Sequence, residues 1–353
     1  MAPPSSDSGA VYRFVKIYSL MPIFSRGRAL PAPTEVKWRH RFSVLASATT
    51  VLLLGWGAFV TSINAGLAVP DWPSSFNSYD PFNPWPEWWK LTPVLAEHGH
   101  RLLGALVGLF TLALAVWTWI AEPRRWMRWL ALGALVLVSV QGVLGGLRVV
   151  LISLDLAVVH ACVAQIFFAT IVGMSIFTSR SWLEPDFGSF NAEKLPALRR
   201  IAVLTIALLY LQIILGALLR HPGTGIDVTL VLLHLGGAIA VTTAIIILYA
   251  HVRRFHGGAQ IAAPAARLLV GLVAVQFALG LTAYFVTLDD AGVLQPSNLQ
   301  VVVNTIHMVT GALLMGSATA ALLGAVHLSR ADRQVSERFD EEAFEMQKSA
   351  ILQ

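Results

Sequence analysis

The sequence predicts an all-α polytopic membrane protein with eight transmembrane helices, arranged as two pseudo-twofold-related four-helix bundles. Three observations lead to this prediction. The 353 residues are 56% hydrophobic and only 13% charged, whereas about a quarter of the residues in soluble domains are charged. Eight apolar runs are each long enough to span a hydrocarbon core of ~30 Å. A five-residue motif recurs in alternate runs, which indicates an internal repeat.

The eight apolar runs divide the chain into two membrane halves and three flanking segments. We expect the spans at about residues 43–64, 96–120, 127–148, 156–178, 199–219, 229–251, 267–287 and 301–328. The predicted units are therefore a cytoplasmic N-terminal tail (1–42), an N-terminal four-helix half (43–178), a cytoplasmic linker (179–198), a C-terminal four-helix half (199–328) and a cytoplasmic C-terminal tail (329–353). The charged C-terminal tail is expected to be amphipathic or disordered.

The distribution of basic residues predicts the orientation in the membrane. When the loops are assigned alternately to the two sides, 21 of the 25 Lys and Arg residues fall on one side. The other side carries only Lys90, Arg101, Arg148 and Arg220. Such an excess places the basic side, with both termini, in the cytoplasm. The net charge of +5 therefore reflects basic residues in loops on one side of the membrane. It does not indicate nucleic-acid binding, which would need basic residues clustered on a folded face.

A Gln-x-x-x-Gly motif repeats in three of the odd-numbered spans, at residues 141–145, 212–216 and 276–280. Residues 55–57 in the first span look like a degenerate fourth copy. Each copy is followed by a histidine near the start of the next span, so the repeating unit is a helix hairpin. Two hairpins make one half, and we expect the halves to be related by an axis along the membrane normal. The glycines would allow close helix approach or leave room for a flat ligand.

Four histidines occupy these repeat-related positions: His100, His160, His234 and His307. Neutral imidazole is a ligand for iron, copper and zinc, and facing helices of a four-helix bundle can hold a cofactor such as a porphyrin between them. We therefore predict two pairs, 100 with 160 and 234 with 307, each within reach of one iron. Cys162 is the only cysteine, which excludes a multi-cysteine metal site.

Further ionisable residues accompany the histidines. Glu97 lies one helical turn before the first of them, so both side chains project from one face. Its carboxylate could relay protons, stabilise a cationic intermediate or orient the imidazole, or it could cap the helix start. The outer-side cations nearest the histidines are suited to gripping carboxylates such as haem propionates, or could be interfacial anchors; they are Arg101, Arg148 and Arg220. Whether His98 contributes is open.

The segment after the first span carries the most specific pattern. Residues 64–73, NAGLAVPDWP, resemble the external-loop signature of haem A synthases of the CtaA/COX15 type, and residues 97–101, EHGHR, resemble their first haem-ligand motif. The resemblance extends over roughly residues 43–328. This chain departs from many bacterial members in lacking a cysteine pair in the first external loop, which puts a disulfide-based role in doubt here.

The resemblance implies that the protein oxidises a ring methyl of haem O to a formyl group, giving haem A for terminal oxidases. It implies that the N-terminal half, with Glu97, His100 and His160, holds the haem O substrate, while His234 and His307 ligate a resident haem b. The implied partners are a haem O synthase that supplies the substrate, an electron donor that the sequence does not identify, and membrane lipid; homo-oligomerisation is left open. The expected location is the bacterial cytoplasmic (inner) membrane, in preference to the mitochondrial inner membrane.

Two other classes of protein could use the same features. A di-haem membrane electron-transfer cytochrome would use the four histidines without converting a substrate, but the external-loop signature argues against it. A transporter would use two halves that rock against each other. Helices interrupted near mid-membrane, the usual sign of a transporter, are not evident in the sequence.

Overall fold

The computed structural model describes residues 33–184, 190–220, 227–289 and 296–351. In this part of the chain the α-helices are α1 (Pro33–Ser62), α2 (Thr92–Ala121), α3 (Arg125–Val150), α4 (Leu154–Phe177), the short α5 (Arg180–Leu183), α6 (Leu195–Arg220), α7 (Val228–Phe255), α8 (Ala262–Asp289) and α9 (Asn298–Ile351). All except α5 are long and apolar enough to cross a membrane. The predicted all-α class with eight transmembrane helices is therefore confirmed.

Local capping explains where several helices begin. The Ser153 hydroxyl accepts a hydrogen bond from the backbone of Leu156 (3.2 Å) and begins α4. The Asp227 carboxylate accepts hydrogen bonds from the backbone of Thr229 (2.8 Å) and Leu230 (3.2 Å) and begins α7. Such side chains satisfy the free N–H groups of a first helical turn. The four repeat-related histidines lie at similar distances along the chain from the starts of α2, α4, α7 and α9.

Two helices extend further than predicted. The first begins at Pro33 instead of about residue 43, so only residues 1–32 of the predicted N-terminal tail lie outside the described part. Helix α9 continues to Ile351, so the C-terminal tail expected to be amphipathic or disordered is helical. Residues 325–351 contain neither glycine nor proline, and Ala, Glu, Gln, Arg and Lys favour helix in water. Residues 185–189 of the predicted linker also lie outside the described part.

Each half of the chain closes into a ring of four helices. In the first half, consecutive helices from α1 to α4 contact each other, and α4 returns to contact α1. In the second half, α6 to α9 do the same. Each ring has its own buried core, centred on Leu114 and Ile171 in the first half and on Leu198 and Leu269 in the second. The two four-helix bundles are thus present, while the pseudo-twofold axis between them stays a prediction.

The two bundles meet along α1 and α4 of the first and α6 and α9 of the second. Glycines allow close approach at this boundary: a Cβ at Gly55 would lie 3.2 Å from Val309, and one at Gly316 would lie 3.1 Å from the ring of Phe168. Small residues play this part in membrane bundles generally. The bundles therefore pack directly against each other.

A buried ion-pair network ties the predicted cytoplasmic end of the first bundle. Glu122, between α2 and α3, accepts hydrogen bonds from Arg39 Nη2 (2.8 Å) and Arg124 Nε (2.7 Å). Burial acts to raise the pKa of Glu122, but the hydrogen bond and charge of Arg124 and the charge of Arg39 outweigh it and hold that pKa below its usual value. Since removing one partner of a buried pair costs roughly 3–5 kcal/mol, the network fastens α1 to the turn between α2 and α3.

Candidate functional site

Each of the four repeat-related histidines lies against a glycine of the preceding long helix. A Cβ built on the glycine would lie 2.9 to 3.2 Å from the Cε1 atom of the histidine ring in every case. The pairs are Gly57 with His100, Gly145 with His160, Gly216 with His234 and Gly280 with His307. Four hairpins of different sequence therefore build one local geometry. The degenerate copy predicted at residues 55–57 supplies its glycine at position 57.

The contact with histidine gives the motif glycines a role that differs from the two predicted for them. They were expected to bring helices together or to leave room for a flat ligand. Instead, the space beside each one holds the imidazole of the next helix. Cβ atoms almost never approach other heavy atoms as closely as 3.0 Å, so any larger residue would push the ring away. The glycine sets the position of the histidine ring.

The glutamines that begin the Gln-x-x-x-Gly motifs also contact these histidines. The Gln212 amide donates to the backbone carbonyl of His234 (2.8 Å) and lies 3.1 Å from its Nδ1. The Gln141 amide donates to the backbone carbonyl of His160 (3.0 Å). Such outer contacts orient an imidazole for metal binding.

The remaining two histidines have related supports. In the last hairpin, the Gln276 amide nitrogen lies 3.2 Å from a ring nitrogen of His307. The first hairpin has no glutamine at this position. There the indole N–H of Trp56 donates to the carbonyl of Ala96 (2.7 Å), one turn before His100. Trp56 lies within the degenerate copy at residues 55–57, but its contact with α2 was not predicted, because the other copies have no tryptophan there.

The spacing of the second histidine pair fits a shared axial metal. The ring centres of His234 and His307 are 6.5 Å apart, at an interplanar angle of 63°. Two imidazoles on opposite sides of one iron have nitrogens about 4 Å apart, from a metal–nitrogen distance of about 2 Å, and their ring centres lie further out. His307 Nδ1 is buried without a hydrogen-bond partner among the described residues. The residues present therefore fit a haem with two histidine ligands.

The first pair lies in the corresponding place in the first bundle. His100 and His160 are near enough to interact electrostatically, and both are half-buried. His100 Nδ1 is buried and, in the part of the chain that the structure describes, has no hydrogen-bond partner. The assignment of all four histidines as iron ligands stays a prediction. Across the described ranges, no group of three or more His, Cys, Asp or Glu residues could hold a metal ion, so a metal here would depend on histidine pairs.

His98 belongs to the external loop instead of the histidine pair. It is buried, and its Nε2 lies 2.7 Å from the carbonyl oxygen of Pro81. The ring of Trp88 packs edge-on against it at 5.1 Å. The open question about its contribution therefore has a structural answer: His98 anchors residues 81–89 of the loop to α2.

Glu97 is fully engaged at the level of the first histidine. It is only 3% exposed, and its Oε2 accepts a hydrogen bond from the backbone N–H of Val69 (2.9 Å). Its Oε1 accepts one from Arg101 (3.0 Å). Because α2 begins at Thr92, with Leu91 at the N-cap position, Glu97 lies beyond the first turn and does not cap the helix. It holds the external loop against the site.

Arg101 is occupied mainly by the same loop. One terminal nitrogen donates to the carbonyl of Asp71 (2.7 Å) and lies 3.2 Å from the carbonyl of Ser74. The other donates to the carbonyl of Val69 (2.9 Å) and to Glu97. A haem propionate would have to compete with these bonds, so the predicted propionate contact is harder to make here than at the other two arginines.

Arg148 and Arg220 each make one hydrogen bond from Nη2. Arg148 donates to the carbonyl of Gly66 (2.8 Å), and Arg220 donates to the hydroxyl of Ser62 (2.7 Å). The Nε atom of Arg220 is buried with no partner among the described residues. Arg220 is also close enough to His307 to interact with it electrostatically. Arg220 therefore has donors left to bind an anionic group beside the second histidine pair.

The segment of residues 64–73 folds over the first histidine pair. The Asp71 carboxylate accepts hydrogen bonds from the backbone of Phe76 (2.7 Å) and Asn77 (2.9 Å) and from Ser74. Burial acts to raise the pKa of Asp71, but these hydrogen bonds together outweigh it and hold the pKa below its usual value. The Trp72 ring then lies directly over Gly146, where no Cβ would fit. Because Gly146 follows the glycine that faces His160, Trp72 lies beside the first histidine pair.

The chain resembles known proteins in sequence. A family model described as "Cytochrome oxidase assembly protein", COX15-CtaA, matches residues 40–233. A protein of Lysinibacillus sphaericus named Heme A synthase is 29% identical over 54% of this chain and 60% of its own length. Proteins of the same name from Exiguobacterium sibiricum, 29% identical over 52% and 59%, and Shouchella clausii, 30% identical over 38% and 44%, are also similar. The chain thus spans about three fifths or less of these curated relatives.

Proposed function

Because the chain belongs to the COX15-CtaA family of cytochrome oxidase assembly proteins, we propose that it is a haem A synthase, a membrane oxidoreductase that converts a ring methyl of haem O to a formyl group. The relatives that cover part of the chain carry that name. The observation that supports the proposal best is the set of four glycine-seated histidines, which supplies two pairs of imidazoles in two bundles.

The N-terminal bundle is proposed to bind the haem O substrate between His100 and His160. Haem iron, when bound, supplies the redox chemistry. The residues of the chain would fix the porphyrin between α2 and α4, and the loop held by Glu97 and Arg101 would cover its outer edge. A buried carboxylate at that edge can take up or release a proton as the methyl is oxidised. We assign this role to Glu97.

The C-terminal bundle is proposed to hold a resident haem b between His234 and His307, whose 6.5 Å ring separation fits two axial ligands. Gln212 would orient the first of these rings. Arg220, with unused donors, would bind a propionate, because guanidinium is suited to carboxylates. A haem held by these residues would supply one-electron redox chemistry. Conversion of the methyl to a formyl group removes four electrons and adds one oxygen atom, so an external oxidant, an oxygen source and an external redox partner for this haem would complete the reaction.

The setting of the enzyme follows from the same features. Eight spans and bacterial relatives support a multi-pass membrane protein. We propose the bacterial cytoplasmic membrane, with both termini in the cytoplasm because the basic loops lie on that side. The substrate would come from a haem O synthase in the same membrane. This arrangement places the histidine pairs near the outer face.

A methyl group that fills the space beside one of the four histidines should displace the imidazole ring. In Gly280→Ala the new methyl would lie 3.0 Å from Cε1 of His307, so the ring must shift by a few tenths of an ångström. Changes to the surroundings of a ligand typically cost 10–100-fold in metal affinity, and we expect a loss of that order in haem b affinity, measured by absorption during haem titration. Gly271→Ala is the matched control, because nothing lies within 4 Å of its Cβ on the same helix. Equal affinity in the two variants would contradict the seating role.

The proposed activity can be tested by co-expressing the full chain with an enzyme that makes haem O and separating the extracted haems by chromatography. We expect haem A and its hydroxylated precursor under aerobic growth, and neither from a His160→Ala control. A single unchanged haem species would favour the electron-transfer cytochrome instead. The absence of both products, with the protein present in the membrane, would contradict the synthase proposal.

A further inference from the structure

We propose that a cavity between the predicted cytoplasmic ends of α7 and α8 binds the phosphodiester headgroup of one anionic phospholipid. The cavity measures about 260 Å³ and is lined by Tyr249, Val252, Arg253, Gly257, Ala263 and Arg267. It lies at the opposite end of α7 from His234, and therefore has no part in the histidine site. It is large enough for a phosphate group with part of its glycerol.

Two guanidinium groups make the cavity an anion site. Arg253 and Arg267 come from different helices and both line it. Within the described ranges neither is in an ion pair with a carboxylate, and residues 249–267 contain no Asp or Glu. In the described part of the chain, therefore, no carboxylate is paired with either charge. Guanidinium groups bind phosphate oxygens through paired, charge-assisted hydrogen bonds.

The other lining residues complete a headgroup site. Val252 and Ala263 are buried and form an apolar floor, which lowers the local dielectric and strengthens charge interactions. The half-buried Tyr249 can donate a hydroxyl hydrogen bond. A phosphate group entering the cavity would thus meet two guanidinium groups and a hydroxyl as donors, and no carboxylate among the lining residues.

The surroundings favour a lipid over a free phosphate ion. The cavity lies between the end of the span Val228–Phe255 and the start of the span Ala262–Leu288, which is the level of headgroup phosphates. Ile246, Ile247 and Leu268 are exposed beside it at 53%, 50% and 54%. These side chains would contact acyl chains below a bound headgroup. Basic pockets between helices on the cytoplasmic side bind anionic lipid headgroups in other membrane proteins.

The test compares charge removal inside and beside the cavity. Arg254 is the matched control, because it adjoins Arg253 on α7 and is also exposed, but lies over the Phe255 ring (5.2 Å) and does not line the cavity. Full-length protein and the variants Arg253→Gln, Arg267→Gln and Arg254→Gln are transferred to mixed micelles. Binding of phosphatidylglycerol is then titrated by native mass spectrometry, with phosphatidylcholine and inorganic phosphate as separate competitors. Haem content and helical signal check that each variant is folded.

We expect Arg253→Gln and Arg267→Gln each to weaken phosphatidylglycerol binding roughly tenfold or more, as the loss of a charged hydrogen-bond donor does. Arg254→Gln should weaken it no more than about fivefold, the effect of one surface charge. Phosphatidylcholine should not compete. Equal losses from Arg253→Gln and Arg254→Gln would overturn the site and leave only general surface attraction. Binding of inorganic phosphate in place of lipid, at equal strength, would overturn the lipid as its occupant.

Discussion

Replacing His234 or His307 with alanine should remove the b-type haem spectrum from the purified protein. Each change deletes one of two imidazoles whose rings are 6.5 Å apart, and haem with a single protein ligand in this bundle would be lost during purification. His160→Ala should leave that spectrum in place and chiefly reduce conversion of haem O, because it removes a ligand only from the substrate bundle. The spectra and the product haems are to be measured on the same preparations.

The control for these variants is His251→Ala. His251 also lies on α7, but its Nε2 is 3.2 Å from the carbonyl of Lys194, at the opposite end of the bundle. We expect it to retain both the haem spectrum and the product. Identical spectral losses from His160→Ala, His234→Ala and His307→Ala would mean that the two bundles are not specialised for substrate and cofactor.

Replacing Glu97 with glutamine should leave haem bound and sharply reduce turnover. The amide oxygen can still accept the hydrogen bond from the Val69 backbone, so the loop stays near its native position. The charge and the exchangeable proton are lost. General acid–base groups typically contribute ~10²–10⁴-fold, and we expect a loss in that range, measured by absorption for haem content and chromatography for haem A.

The control separates chemistry from loop anchoring. Asp71→Asn also removes one carboxylate charge, from the loop that Glu97 contacts, where the Asp71 carboxylate holds the backbone of Phe76 and Asn77. If anchoring were the only role of Glu97, both variants should lower turnover similarly and lower haem content with it. Full haem occupancy and an unchanged haem A yield in Glu97→Gln would rule out the catalytic role.

The membrane spans were predictable because the bilayer imposes a local rule. Every backbone group inside hydrocarbon must be bonded within the segment, so each span appears in the sequence as one long apolar run. The ends were less predictable. Helix α9 continues to Ile351, since leaving the membrane does not by itself end a helix that lacks glycine and proline. The predicted orientation likewise came from a sum of charges over loops, which needs no knowledge of contacts.

The candidate site was predictable in its residues and less so in its contacts. The repeat identified Gly145, Gly216 and Gly280, because the spacing from Gln to Gly is preserved along the chain. It identified the histidines because each lies near the start of the next span, although the interval from Gln to His grows from 19 to 31 residues. The group that packs against each motif glycine could not be inferred, since a glycine allows several kinds of close approach. Trp56 and Trp72 lie in the degenerate repeat at residues 55–57 and in the loop signature at residues 64–73, but their contacts were not predicted. No period marks a side chain that reaches a neighbouring helix.

The sequence by itself determined the all-α membrane class, the eight spans, the repeated hairpin and the four histidines, because hydropathy and spacing are properties of the chain read along its length. Only the tertiary structure decided that the motif glycines seat the histidine rings, that Glu97 and Arg101 fasten the external loop, and that Arg220 keeps donors free. Each of these depends on which atoms of distant segments approach within about 3 Å. That is fixed by the packing of helices against one another, and the order of residues within any one helix does not specify it.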